Sequence, residues 1–215
     1  MNDLMKSKDL LIRYSIARIP FITIETVERG RALDILKEIA IELNLPFYVH
    51  TLSKGLYDIT TDKKINDDKS VYGAIDFMTE QMSRKQYQTL ILTEVPDISQ
   101  DTTDAHQILD LVTLADESGG VVMVITSNPV WNQLQRQGMI VKVGMPNEEE
   151  MYSIIKELIE GYRSEYLIEW DNADIREAAA TLTGVTKIEA VNVMTALLAK
   201  KTIRKSDMEE VTLVL

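Results

Sequence analysis

Cysteine is absent from the 215 residues, histidine occurs twice, and aromatic residues make up only 6% of the chain. Without cysteine there are no disulfides, no thiolate nucleophile and no thiolate metal site, which accords with a reducing compartment. The two histidines, His50 and His106, are far apart and form no H-x-x-x-H spacing. A His-based metal site is therefore not expected, and each ring reads as structural or surface. No apolar run approaches the roughly 20 residues that cross a bilayer, and the start from Met1 to Lys8 is too polar for a signal peptide. The expectation is a soluble, cytoplasmic protein that makes no membrane contact. Cations are also scarce: 23 Lys and Arg face 34 Asp and Glu, for a net charge of -11. A surface so acidic repels nucleic acid and anionic membrane alike.

What is present is a chain with 45% hydrophobic residues, long enough for one large domain or one domain with a small appendage. Leu4 to Arg18 has the spacing of a short amphipathic helix, and Pro20 opens a strand, Phe21 to Ile24. Val27 to Leu43 is helical and stops at Asn44 before Pro46, followed by a strand at Phe47 to Val49. Lys54 to Lys69 is polar and reads as a mobile loop. Val71 to Met82 is helical, Thr89 to Val95 a strand, Thr102 to Glu117 a helix broken at Gly119-Gly120, and Val121 to Thr126 another strand. Leu90-Ile91-Leu92 and the run from Val121 are apolar throughout, as in strands buried on both faces of a parallel sheet. Val130 to Arg136 predicts a short helix, Met139 to Val143 a fifth strand, and Glu148 to Glu160 a helix capped by Asn147. Ile175 to Leu182, Ile188 to Leu198 and Asp207 to Val214 then predict three helices with no strand between them, the first two separated by Gly184. Strands alternating with helices imply βαβ units, hence a five-stranded parallel sheet in a three-layer α/β domain over residues 1–165 and a helical subdomain over 171–215.

Open α/β sheets bind ligands at the carboxyl ends of their strands. After the first strand the chain runs Glu25-Thr26-Val27-Glu28-Arg29-Gly30-Arg31-Ala32-Leu33. A phosphate-binding loop needs glycines that turn backbone N–H groups onto phosphate, a Lys, and a Ser or Thr hydroxyl for Mg²⁺. Laid on such a loop and helix, this segment puts Ala32 at the Lys position and Leu33 at the hydroxyl position. Gly30 is the lone glycine, and Glu25 and Glu28 sit where polyphosphate would lie, which like charge disfavours. The segment is more simply a strand-to-helix turn with Thr26 as N-cap and Glu28 in the first turn.

The remaining strand ends carry a resemblance to the AAA+ ATPases. Leu90-Ile91-Leu92-Thr93-Glu94 resembles a Walker B strand with Thr93 in place of the Mg²⁺-binding Asp and Glu94 at the water-activating position. Val121 to Ile125 followed by Thr126-Ser127-Asn128-Pro129 resembles the sensor-1 segment, with Asn128 at the polar position. Trp131 to Pro146 and Asn147-Glu148-Glu149-Glu150 resemble the arginine-finger helix, fifth strand and following helix, with Arg136 as a possible finger and Met139 where a second Arg is usual. Ala178 to Thr186 and Glu189 to Val193 resemble the AAA+ lid, where the sensor-2 Arg is missing and Lys187 is the nearest cation.

Within that superfamily, Ile12-Arg13 with Pro20 to Thr26, Ile41 to Val49, and Leu52 to Leu56 are similar to the amino-terminal half of the AAA+ proteins encoded by a conserved hypothetical reading frame of chloroplasts and found in cyanobacteria and other bacteria. His50 departs from the aromatic common there. The resemblance implies a P-loop-less AAA+-like module preceding a complete ATPase module that binds ATP and Mg²⁺, with no nucleotide or metal bound by this segment. Its partners would be the downstream module or neighbouring subunits, including further copies of itself. The expected function is a non-catalytic module acting in ring assembly, partner recruitment or regulation. One alternative is an unconventional ATPase with Glu94 activating water, Asn128 orienting it and Arg136 or Lys187 meeting phosphate. A second is a doubly wound binding module unrelated to ATPases.

Overall fold

The computed structural model describes residues 3–84 and 87–213, which divide into two compact units, Met1–Gly144 and Met145–Leu215. In the first, chain order is α1 (Asp3–Ile16), β1 (Phe21–Glu25), α2 (Arg29–Leu43), β2 (Phe47–Thr51), β3 (Gly55–Asp58), α3 (Val71–Ser83), β4 (Thr89–Leu92), α4 (Thr103–Ser118), β5 (Val121–Thr126), α5 (Asn132–Gln135) and β6 (Gly138–Lys142). The sheet order is β3-β2-β4-β5-β1-β6. Five strands are parallel, as expected, and a sixth adds to them: β3 returns antiparallel on β2, with Thr51 opposite Gly55 and Tyr48 opposite Asp58. Part of the segment expected as a loop, Lys54 to Lys69, is therefore an edge hairpin, and Tyr57 also bridges Lys64.

Side chains alternate across the sheet, which is the period a strand imposes. Ile22 and Ile24, Phe47 and Val49, Ile91, Met123 and Val141 pack with Leu11, Ile35, Leu36 and Ile39, so α1 and α2 cover one face. Phe21, Leu56, Leu90, Leu92, Val122 and Val124 pack with Ile75, Met78, Ile108 and Leu111, so α3 and α4 cover the other. These are three layers around a sheet buried on both sides, and each fully buried aliphatic side chain contributes roughly 1.5–3 kcal/mol. Helix ends follow local chemistry. Thr102 caps α4 through Ala105 N, and α4 ends on Gly119 at φ 73°, a left-handed conformation that glycine adopts without a Cβ penalty.

The second unit holds α6 (Glu148–Tyr162), β7 (Leu167–Ile168), α7 (Asn172–Thr181), α8 (Lys187–Leu198), β8 (Thr202–Ile203) and α9 (Met208–Leu213). Its core joins Met151, Ile155 and Ile159 of α6 to Trp170, Ile175, Ala178, Met194 and Leu198. Here the sequence expectation needs two corrections. The division falls after Gly144 rather than near residues 165–171, because the apolar stripe of α6 is buried in this helical unit. Its helices are also joined by a strand pair, β7 with β8 in parallel, although two residues each are too few to show in sequence. The last predicted helix begins as a 3-10 turn at Lys205–Asp207, and Val214 lies outside the described residues. Capping boxes at Asn147, Asp171 and Thr186 fix the starts of α6, α7 and α8.

Candidate functional site

The carboxyl ends of β1, β2, β4 and β5 lie on one edge of the sheet because these strands are parallel. That edge carries Glu25 and Thr26, Leu52, Glu94, and Asn128 respectively.

The strand-to-helix turn after β1 differs from the sequence expectation by two residues. Helix α2 begins at Arg29, and the N-cap position belongs to Glu28, which makes no side-chain cap hydrogen bond. Thr26 is not the cap: its Oγ1 accepts from Glu28 N at 3.0 Å, and its own N–H donates to Thr126 O, tying the turn to β5. Glu28 is only 5% exposed, and its carboxylate lies 3.5 Å from the Arg31 guanidinium. A buried carboxylate at a helix amino terminus occupies the electrostatic place that phosphate takes in nucleotide-binding turns. Gly30 makes no close approach, since a Cβ there would meet nothing within 4 Å, and its φ is not left-handed. It is an ordinary helical residue. Glu25, at the end of β1, faces Lys142 of β6 at 3.3 Å.

Glu94 follows β4, and both of its carboxylate oxygens are engaged. Oε2 accepts from Leu52 N at 2.7 Å, and Oε1 takes the Arg29 guanidinium. Arg29 opens α2 after β1 and Glu94 follows β4, and β5 lies between those two strands, so the ion pair spans the carboxyl end of β5. Donation from Leu52 N–H holds the Glu94 carboxyl below its usual range, against partial burial and aided by the hydrogen bond and charge of Arg29. A carboxylate so stabilised is a weaker proton acceptor than a free one, the opposite of what a general base near neutral pH requires. Thr93 is buried, and its Oγ1 donates to His50 O at 3.0 Å. His50 is fully buried, with Nε2 2.9 Å from Lys69 O.

Asn128 is exposed and held through its backbone, its N–H donating to Thr126 Oγ1 at 2.9 Å. Arg136, one residue after α5, is exposed, and Met139 is 41% exposed on edge strand β6. Lys187, the first residue of α8, belongs to the second unit. Thus Glu94 and the turn after β1 are brought together through Arg29, while Arg136 and Lys187 lie on other elements. Arg29 was not singled out by sequence. Its one signal is a cation in the first turn of a helix, where the dipole disfavours positive charge unless a carboxylate answers it. Among the described residues no group of three or more His, Cys, Asp or Glu is placed to hold a metal ion, and no helix is long and apolar enough to cross a membrane.

Comparison with solved structures places this fold among AAA+ domains. A chain of the E. coli MS115-1 HORMA:CdnC:Trip13 complex superposes with a TM-score of 0.69 over 99% of this chain and 88% of that chain, at 10% identity. Rhizobiales Trip13 gives 0.62 over 95% and 77% at 12% identity. C. elegans PCH-2 gives 0.61 over 95% and 64% at 11% identity. At these identities the likeness is one of fold. A search of curated proteins finds no match. Residues 7–143, most of the α/β unit and well over half of the chain, match the model of the SpoVK-like AAA ATPase N-terminal domain, and the chain belongs to that family.

Proposed function

We propose that this chain is a non-catalytic AAA+-like module, N-terminal to an ATPase module, that acts in ring assembly, partner recruitment or regulation of that module. The observation that carries the reading is the closure of the sheet's carboxyl edge by Arg29, Glu94 and Leu52 N–H. Phosphoryl transfer depends on positioning and charge stabilisation, chiefly from a phosphate cradle and its metal. Here the cradle is replaced by a turn with a buried carboxylate, the metal-binding position by the hydrogen-bonded Thr93, and the base position by an ion-paired Glu94. Glu94 and Asn128 are then remnants of a site, Arg136 is solvated surface, and the helical unit is lid-like. ATP and Mg²⁺ belong to the parent's ATPase module, in the cytoplasm. The resemblance to the amino-terminal half of the chloroplast and cyanobacterial proteins supports the same arrangement. An assembling role also agrees in kind with the E. coli relative, whose complex contains HORMA and CdnC.

Reading the gene past the codon for Leu215 tests the arrangement. The expected finding is a second module with Gly-x-x-x-x-Gly-Lys followed by Ser or Thr. In that longer protein, substituting the downstream Lys abolishes ATP hydrolysis, whereas Glu94→Gln leaves turnover within about threefold. Loss of hydrolysis on Glu94→Gln would instead assign catalysis to this segment.

A further inference from the structure

Helices α3 and α4, which cover one face of the sheet, contain no Lys or Arg, while Asp76, Glu80, Asp104, Asp110, Asp116 and Glu117 lie on them. Between them runs a groove of about 290 Å³. It is lined at helical spacing from both sides, by Tyr72, Ile75, Asp76 and Thr79 of α3 and by Gln107, Asp110, Leu111 and Leu114 of α4. The floor is aliphatic: Ile75 is 8% exposed, Leu111 2%, and Leu114 half-buried. The walls are acidic. Asp76 and Asp110 rise from opposite helices, exposed, and neither makes an ion pair or side-chain hydrogen bond among the described residues. At one end Tyr72 donates its hydroxyl to Asp104 at 2.5 Å, joining the two helices.

An aliphatic floor between unpaired carboxylates matches a side chain with an apolar stem and a cationic head, which buries its methylenes and offers its charge at the rim. The volume, close to the lower end of the roughly 300–1,000 Å³ typical of small-molecule pockets, suits one long side chain, and the acidic walls disfavour a phosphate-bearing ligand. We propose that the α3–α4 groove is a docking site for a basic amphipathic segment of a partner protein, with an arginine laid along Ile75, Leu111 and Leu114 and its guanidinium between Asp76 and Asp110.

This interaction does not depend on the state of the β-sheet edge, so its test and the nucleotide test fail separately. The probe is a blocked, fluorescently labelled helical peptide with one arginine among leucines and alanines, with a twin carrying citrulline at that position. Fluorescence anisotropy on the full chain is expected to show saturable binding that weakens by about tenfold or more for the citrulline twin and for the D76N/D110N variant. A control variant elsewhere on the acidic surface, E38Q/E42Q, is expected to bind as the parent does, and thermal melts verify that both variants fold. The proposal is overturned if the peptide does not bind, if the citrulline twin binds equally, if D76N/D110N and E38Q/E42Q weaken binding alike, or if arginine amide alone binds as tightly as the peptide. The citrulline comparison uses the unaltered protein and so holds whatever the variants do to folding.

Discussion

Arg29 and Glu94 are 65 residues apart in sequence, and their contact changes what each residue means. Glu94 in sequence is a carboxylate at the end of a buried strand, open to assignment as a catalytic base. In the structure it serves as an acceptor that pins the turn after β2 and the start of α2. The guanidinium is half exposed and the carboxylate about a third exposed, so solvent screening limits the pair to about 0–1 kcal/mol. Glu94→Gln, which keeps an acceptor for Leu52 N–H, is therefore expected to lower stability by no more than about 1 kcal/mol in urea titration at neutral pH. The sign of its pH dependence follows from the direction of the shift. A carboxyl held below its unfolded range stabilises the fold above about pH 4 and loses that contribution as pH falls through the folded value. The melting difference between parent and Glu94→Gln should accordingly be present at pH 7 and vanish in acid. Glu28 is the contrast. Its side chain is 4% exposed beside an Arg31 that is 10% exposed, so their contact is far less screened by solvent than the Arg29–Glu94 pair. Glu28→Ala is expected to cost about 1.5–3 kcal/mol, measured by the same titration, more than a Glu94 variant.

Elements with strong local signals were legible in sequence. The apolar runs of β4 and β5, the Asn147 cap of α6 and the break at Gly119 all rest on neighbouring residues, and the structure places them as expected. The edge strand β3 was not legible, because Gly55 to Asp58 is four residues long within a charged stretch and is a strand only through its pairing with β2. The start of α2 was misplaced for a similar reason: Thr26 has the chemistry of a cap, but its hydroxyl and N–H are committed to Glu28 and to Thr126 of β5. In the second unit, the two-residue strands β7 and β8 carry no periodicity at all. One element-level dependence shows only in three dimensions. Gly138 opens β6 directly opposite Phe21, and a Cβ there would lie 1.7 Å from the Phe21 carbonyl oxygen. Because the obstacle is backbone rather than a flexible side chain, Gly138→Ala is expected to displace the edge strand at a cost of about 2–4 kcal/mol in equilibrium unfolding, with faster amide exchange confined to β6 and β1.

For the whole molecule, a three-layer AAA+ α/β unit and a separate helical core are assembled from a strongly acidic chain, and the sheet's usual ligand edge is occupied by the protein's own side chains. Net charge of -11, a buried carboxylate at the head of α2 and an ion pair spanning the end of β5 all oppose a polyphosphate there. On the function proposed above, the chemistry of the family comes from another module and this one contributes surfaces. Isothermal titration calorimetry of the chain with Mg-ATP tests the closed edge most directly. The expected result is no saturable binding tighter than a Kd of about 1 mM; stoichiometric binding in the micromolar range would contradict it.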